Sequence, residues 1–262
     1  MITALPSAGP QHSGNLFLDA LTSGSYDRLS PKLERITAVT GAPIATFGKP
    51  TEHVIFPVAS VVSAVTTMQD GAAVEVMLVG REGFYGLQVA LGENTSPNDA
   101  MVQLPNSFWR IASEDFATCL GQDPPLLKRV LRYVAATLDS VSQLSACNRL
   151  HPINERCARW LLMAHDRVAG DEILLTQEYL ATMLGVRRPS VSIAASALDQ
   201  AGFIKYSRGR ILMRDRKGLE GAACECYWAV NASLERMLAY SVAKTAPPDR
   251  THSIPPPERE IA

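Results

Sequence analysis

The spacing of apolar positions changes along the chain, and each change marks a different kind of element. Residues 1–14 are rich in Pro, Ser, Gly and Ala without periodicity, and read as disordered. Leu29, Leu33 and Ile36 fall on one helical face, so residues 16–39 read as one or two short helices around Pro31. From residue 43 to 112 the pattern becomes a series of short β-branched or aromatic runs. They are Val54-Ile55-Phe56, Val58–Val65, Val74–Val79, Phe84–Val89, Ala100–Leu104 and Phe108–Ile111. Pro57, Asp70-Gly71, Gly80, Gly83, Gly86, Gly92 and Pro97 punctuate them, which predicts a β-barrel or jelly roll. Ser113 is placed to cap a short helix over 114–120.

Residues 124–150 return to helical spacing over a long stretch. Leu127, Leu131, Val134, Leu138 and Val141 alternate in steps of four and three, an a/d stripe that predicts a homodimer seam. Val130 and Leu144 widen it. An ordinary core helix packed on the barrel is the competing reading. His151-Pro152 breaks this helix, because proline disfavours α geometry in the residue before it. Residues 153–168 then form the first helix of a second domain, with Cys157, Trp160, Leu161 and Ala164 on its core face. A further helical stretch covers 219–243. The predicted organisation is therefore a disordered 1–14, a roll over 15–123, a dimerisation helix over 124–150, a second domain over 151–244 and a disordered tail over 245–262.

Inside that second domain, residues 175–200 read as two short helices joined by a tight turn. Thr176 caps the first, on which Leu180 and Leu184 share a face. Gly185 supplies a stop that tolerates positive φ, and Pro189 suits the first turn of the second helix. Val191, Ala195 and Leu198 pack back, which leaves Arg187, Arg188, Ser190 and Ser192 off the apolar stripe. Two apolar runs, Phe203–Tyr206 and Ile211–Met213, flank Ser207-Arg208-Gly209-Arg210 and predict a β-hairpin wing. This is the layout of a winged helix-turn-helix, whose second helix enters the major groove.

Charge sharpens that reading. The chain has 262 residues and a formal net charge of −1, yet residues 175–217 carry eight Lys/Arg against three acids. Positive charge thus sits where a polyanion would lie. Five cysteines lack disulfide-framework spacing, and neither a membrane span nor a signal peptide is visible, so a reducing cytoplasm is expected. No nucleophile motif, P-loop, HExxH or paired-carboxylate constellation is present, which argues against an enzyme.

An N-terminal roll, a long dimer helix and a C-terminal winged helix-turn-helix, in that order, resemble the Crp/Fnr family of bacterial transcription regulators over roughly residues 30–220. The resemblance rests on Thr176–Ala181, Gly185–Val191 and Leu198 to Ile204. Glu155–Leu162 resembles the helix that opens the family's DNA domain, and Val79–Gly86 a roll segment of one subgroup. It implies an α+β fold, with double-stranded DNA, a second copy of the chain and RNA polymerase as partners. It also implies that Arg188 contacts base or backbone, and that Thr176 and Ser190 contact phosphate. Pro189, Arg187 and Ser192 on the reading helix and Arg208 and Arg210 on the wing complete the expected DNA-facing set.

Two departures limit the carry-over. The family's well-known readers have glutamate where this chain has Pro189, and a second arginine where it has Ile193, so their target sequence does not transfer. Cyclic-nucleotide-binding members have Gly-Glu-Leu followed by an arginine about ten residues on. Here Gly86, Leu87 and Gln88 stand at the effector position, and no Lys or Arg lies between Gly92 and Leu104. A buried phosphodiester without a cation is strongly disfavoured, so no cyclic nucleotide is expected and the effector is unspecified.

The remaining chemistry is sparse. Cys224-x-Cys226 offers two metal ligands, with Cys157 or His165 as unplaced partners; buried inert thiols are the simpler reading, and neither cofactor nor metal is expected. The family's oxygen-sensing branch holds an iron–sulfur cluster with N-terminal cysteines, and residues 1–118 contain none. His53 is a candidate haem ligand but more simply a structural histidine. Arg81-Glu82 reads as a local ion pair worth about 0–1 kcal/mol. The rival to DNA binding is a ligand-binding or interaction module that uses its winged helix for protein contacts.

Overall fold

The computed structural model describes residues 2–4 and 13–240. The tail expected over 245–262 lies outside the described residues. In chain order the elements are β1 Ile2–Ala4, α1 Leu16–Asp19, α2 Ser23–Leu29, β2 Glu34–Ala38, β3 Pro43–Ala45, β4 His53–Pro57, β5 Val61–Thr67 and β6 Ala73–Val79. Then come α3 Leu87–Ala90, β7 Asp99–Leu104, β8 Asn106–Ala112, α4 Ser113–Gln122, α5 Pro124–Leu150 and α6 Ile153–His165. The last third contains β9 Glu172–Leu174, α7 Gln177–Leu184, α8 Arg188–Gln200, β10 Ile204–Ser207, β11 Arg210–Met213, α9 Arg216–Ala222 and α10 Cys226–Ala239.

Two four-stranded antiparallel sheets, ordered β1-β2-β8-β4 and β3-β7-β5-β6, face each other as the roll. Ile36, Ile55, Val62, Val79, Tyr85, Val102 and Phe108 fill the space between them. Asp70-Gly71 lies in the β5–β6 hairpin connection, as the dipeptide predicts. Against one end of the roll, Phe17, Phe56, Phe84, Phe116 and Tyr133 pack with ring centroids as close as 4.9 Å.

Several expectations need correcting here. Within 1–14, Ile2–Ala4 pair with β2, and Ser13 is buried, with its carbonyl accepting the Trp109 indole N–H at 2.9 Å. Ile36 is on a strand, not a helix: only Leu29 stays helical, because pairing with β8 offers residues 34–38 a full antiparallel ladder. Phe84–Val89 is not a strand; Tyr85 makes one bridge to Ile55 before α3 begins. Ser113 is the first residue of α4 rather than its cap, and its hydroxyl donates to the Thr51 carbonyl at 2.6 Å. Residues 219–243 are not one helix, since Ala223–Glu225 separate α9 from α10. Glu82 pairs with Arg167 at 2.8 Å rather than with exposed Arg81, so the ion pair is buried and crosses from roll to second domain.

The long helix spans Pro124–Leu150, with Asp123 accepting the Leu126 amide as its N-cap. It has two apolar faces. Leu126, Val130, Tyr133 and Ala136 are buried against the roll. Leu127, Leu131, Leu138 and Val141 are exposed by 36%, 49%, 63% and 36%, while Val134 is half-buried. Helix α10 runs antiparallel along α5. Ser233 Oγ donates to Asp139 at 2.9 Å, and the buried Arg129 guanidinium donates to the carbonyls of Met237 and Tyr240 at 3.0 and 2.7 Å. A cation thus closes the C-terminal end of α10, where orphan carbonyls and the helix dipole favour it.

One core cluster joins Val61, Val65, Leu78 and Leu104 of the roll to Trp160, Leu161, Leu180 and Leu184 of the second domain. Beside it, the indole N–H of Trp160 donates to Glu75 of β6 at 2.8 Å.

Candidate nucleic-acid interface

Helices α7 and α8 stand as predicted. Thr176 Oγ1 accepts the Tyr179 amide at 3.3 Å as N-cap. Gly185 closes α7 at φ 62°, and a Cβ there would meet Val74 Cγ2 at 2.8 Å, so the turn needs glycine for both backbone and space. Arg187 is the N-cap of α8 and Pro189 lies in its first turn. Val191, Ala194, Ala195 and Leu198 are buried, with Leu180 and Leu184 in the same core.

Burial of that stripe leaves one face of α8 open to solvent. Arg187, Arg188 and Pro189 are exposed, Ser190 and Ser192 are half-buried, and Ser196 and Ala197 continue the open face. Ile193, which the residue pattern alone did not single out, is 69% exposed on the same face. The signal was available: it stands off the Val191–Ala195–Leu198 stripe. Ser192 Oγ donates to Gln177 Oε1 at 2.7 Å and ties the two helices together. Arg188 lies 3.9 Å from exposed Glu178. Such an exposed pair is worth about 0–1 kcal/mol, so the guanidinium is free to exchange partners.

The wing is a three-stranded sheet ordered β10-β11-β9; the strand β9 was not visible in the residue pattern. Ser207 and Arg210 face each other across the hairpin, and the two residues between them, Arg208 and Gly209, have φ of 49° and 77°. Two positive φ values make a type I′ turn, which holds Arg208 at the tip. Arg208 and Arg210 are both exposed; Arg210 pairs with Glu172 at 3.1 Å. The two arginine groups, on α8 and on the hairpin, belong to one domain and both face solvent.

The roll residues named for an effector are occupied with other work. Gln88 Nε2 donates to Thr51 Oγ1 at 2.8 Å, Gly86 and Leu87 lead into α3, and Tyr85 inserts between the sheets with its hydroxyl 2.8 Å from Ser96 Oγ. A cavity of about 30 Å³ lies among Leu78, Tyr133, Leu144, Met163 and Leu234, room for about one water. His53, on β4, is half-buried, and burial lowers its pKa.

The sequence-predicted partners of Cys224 and Cys226 do not come to them. Cys157 is enclosed in the second-domain core, and His165 contacts Asp171 and Arg216. Cys147 and His151, at the end of α5, do: the four ligand atoms lie within 4.8 Å of one another. No described helix is long and apolar enough to cross a membrane.

Comparison with known proteins agrees with this architecture. Residues 155–222 match the Crp-like helix-turn-helix domain. FixK2 from Bradyrhizobium japonicum superposes with a TM-score of 0.63 at 18% identity, covering 72% of this chain and 96% of that one. TTHB099, a CRP-family transcriptional regulator from Thermus thermophilus, gives 0.61 at 22% identity, covering 72% and 98%. The c-di-GMP responsive regulator CLP from Xanthomonas campestris gives 0.57 at 16%, covering 74% and 99%. No curated protein matches the chain by sequence. With roll, long helix and matched domain in that order, the chain has the fold of the Crp/Fnr transcription regulators and carries a Crp-like helix-turn-helix domain at residues 155–222.

Proposed function

We propose that this protein is a dimeric, sequence-specific DNA-binding transcription regulator. The observation that carries the reading is the open face of α8. A helix that begins with exposed Arg187 and Arg188, continues through Ser192 and Ile193, and is backed by a fully packed apolar stripe can enter a major groove. Thr176 and Ser190 supply phosphate-facing hydroxyls, and Arg208 and Arg210 reach the backbone from the wing. Ile193 favours a thymine methyl over the guanine that an arginine would read.

We assign 15–123 together with β1 to the roll, α5 over 124–150 to the dimer seam and 151–244 to the DNA-binding domain. Exposed Leu127, Leu131, Leu138 and Val141 form that seam, with Val134 at its edge. A two-fold axis there would present two α8 helices to two half-sites, and RNA polymerase would be the downstream partner. The filled roll and the lack of any Lys or Arg between Gly92 and Leu104 argue against a cyclic nucleotide as effector. Calorimetric titration with cAMP and cGMP showing micromolar binding would overturn that part.

Selection of bound genomic fragments tests the whole. The expected result is recovery of a two-fold symmetric site, with affinity falling steeply as salt rises from about 50 to 200 mM. No measurable DNA affinity at the lower salt would instead favour a winged helix used for protein contacts.

A further inference from the structure

We propose that Cys147, His151, Cys224 and Cys226 form a mononuclear zinc(II) site that locks the end of α5 to the α9–α10 junction. The four ligand atoms lie within 4.8 Å of one another, with Cys147 Sγ 3.5 Å from Cys224 Sγ and Cys226 Sγ 3.5 Å from His151 Nδ1. A tetrahedral ion with bonds of about 2.1–2.3 Å sets its ligands about 3.5–3.8 Å apart along each edge, so these contacts are already edges of such a site. An iron–sulfur cluster interposes several atoms between its cysteines and needs a wider nest. Three sulfurs and one imidazole select a borderline-soft ion and close the coordination shell, which is the structural rather than the catalytic kind of site.

The surroundings point the same way. His151 Nε2 stands 3.1 Å from a carboxylate oxygen of Glu225, a partner that favours the tautomer with its proton on Nε2 and an Nδ1 lone pair toward the sulfurs. A carboxylate behind a ligating imidazole is the usual outer shell of a zinc histidine. Gln143 Nε2 donates to Cys226 Sγ at 3.1 Å, a hydrogen bond that steadies a thiolate. Three thiols lose three protons to solvent on binding, so three thiolates, one neutral imidazole and Zn²⁺ carry a net charge of −1. Arg156 and Arg159, on the neighbouring helix α6, are 8% and 4% exposed; Arg156 donates to the Leu184 carbonyl and Arg159 to the Met163 sulfur, and both lie close enough to Cys147 to interact with its charge. An anionic centre beside them offsets the cost of burying two guanidinium groups.

The site joins two segments far apart in sequence at a particular place. Cys147 and His151 occupy the last turn and cap of α5, immediately before the break that leads into the helix-turn-helix domain. Cys224 and Cys226 hold the start of α10, which lies back along α5. The ion would therefore brace the joint about which the DNA-binding domain must be oriented. This inference does not rest on the DNA reading, since metal content is measured without DNA.

Protein purified under reducing conditions without chelator should retain one zinc per chain by mass spectrometry. Apo-protein titrated with Co²⁺ should develop the intense visible bands of tetrahedral cobalt and near-ultraviolet thiolate charge transfer, saturating at one equivalent and abolished by Zn²⁺. Thiol titration of the native protein should release three further reactive cysteines on chelation, with a drop in thermal midpoint. C224S/C226S should lose the cobalt bands, while Cys119→Ser, in the roll, should keep them. Absence of bound metal together with absence of cobalt bands in the wild-type chain would overturn the proposal. So would an iron–sulfur chromophore, or a native Cys147–Cys224 disulfide.

Discussion

Arg188 and Arg210 carry the same charge and stand in the same domain, but one opens a helix and the other lies on a hairpin. On the proposed reading, Arg188 at the start of α8 meets base edges, whereas Arg210 on the wing meets phosphate. Arg188→Ala should cost about 1–3 kcal/mol on a selected site and relax specificity at one position. Arg210→Ala should weaken binding to every sequence alike and reduce the log–log salt slope by about one. Gel shifts over a salt series separate the two, and identical behaviour of both variants would remove the distinction. Gly185 makes a further residue-scale case. Alanine there must adopt φ near 62° and push against Val74 Cγ2 at 2.8 Å. Gly185→Ala should lose about 1–2 kcal/mol from the backbone conformation alone, read as a lower denaturant midpoint.

At the scale of elements, the contact between β6 and α6 holds a half-buried acid whose carboxyl is turned away from solvent. Glu75 accepts from Ser63 Oγ and from Trp160 Nε1, with Arg159 and Arg167 as the nearby cations, yet burial outweighs all of these and raises its pKa to about 7. A carboxyl raised above its unfolded value favours the folded state while protonated. That contribution is complete below about pH 4.5 and is lost as pH rises through about 7. The thermal midpoint of the native chain should therefore fall between pH 5 and 7.5 relative to Glu75→Gln; parallel profiles for the two proteins would count against it. Element-scale patterning also explains where the residue pattern failed. The α7–turn–α8 unit was legible because its cap, its stop and its apolar stripe are local. Residues 34–38 and β9 were not, because a strand partner distant in the chain decides their conformation.

For the whole molecule, the two apolar faces of α5 are the decisive feature. One face is consumed by the roll and the other is left open at Leu127, Leu131, Leu138 and Val141. An open stripe of that length on a single helix favours a second copy of the same helix. Leu131→Glu with Leu138→Glu should convert a dimer to a folded monomer in sedimentation experiments, with loss of affinity for a two-fold site and retention of weak general DNA binding. A dimer that survives both changes would move the seam elsewhere. The roll and the second domain share one core, so this monomer is already a single packed body before any partner arrives.

By itself the amino-acid order determined the helix-turn-helix, the wing hairpin, the long helix and the concentration of arginines upon them. Those depend on capping, periodicity and turn chemistry within a few residues of each position. Only the tertiary structure decided that Glu82 meets Arg167 rather than its neighbour Arg81, and that Cys147 and His151 converge on Cys224 and Cys226. The paired contacts join segments about 75 to 85 residues apart in the chain. Chain spacing carries no record of such distances, which arise when α6 and α10 pack against the roll and the long helix to bury their apolar faces.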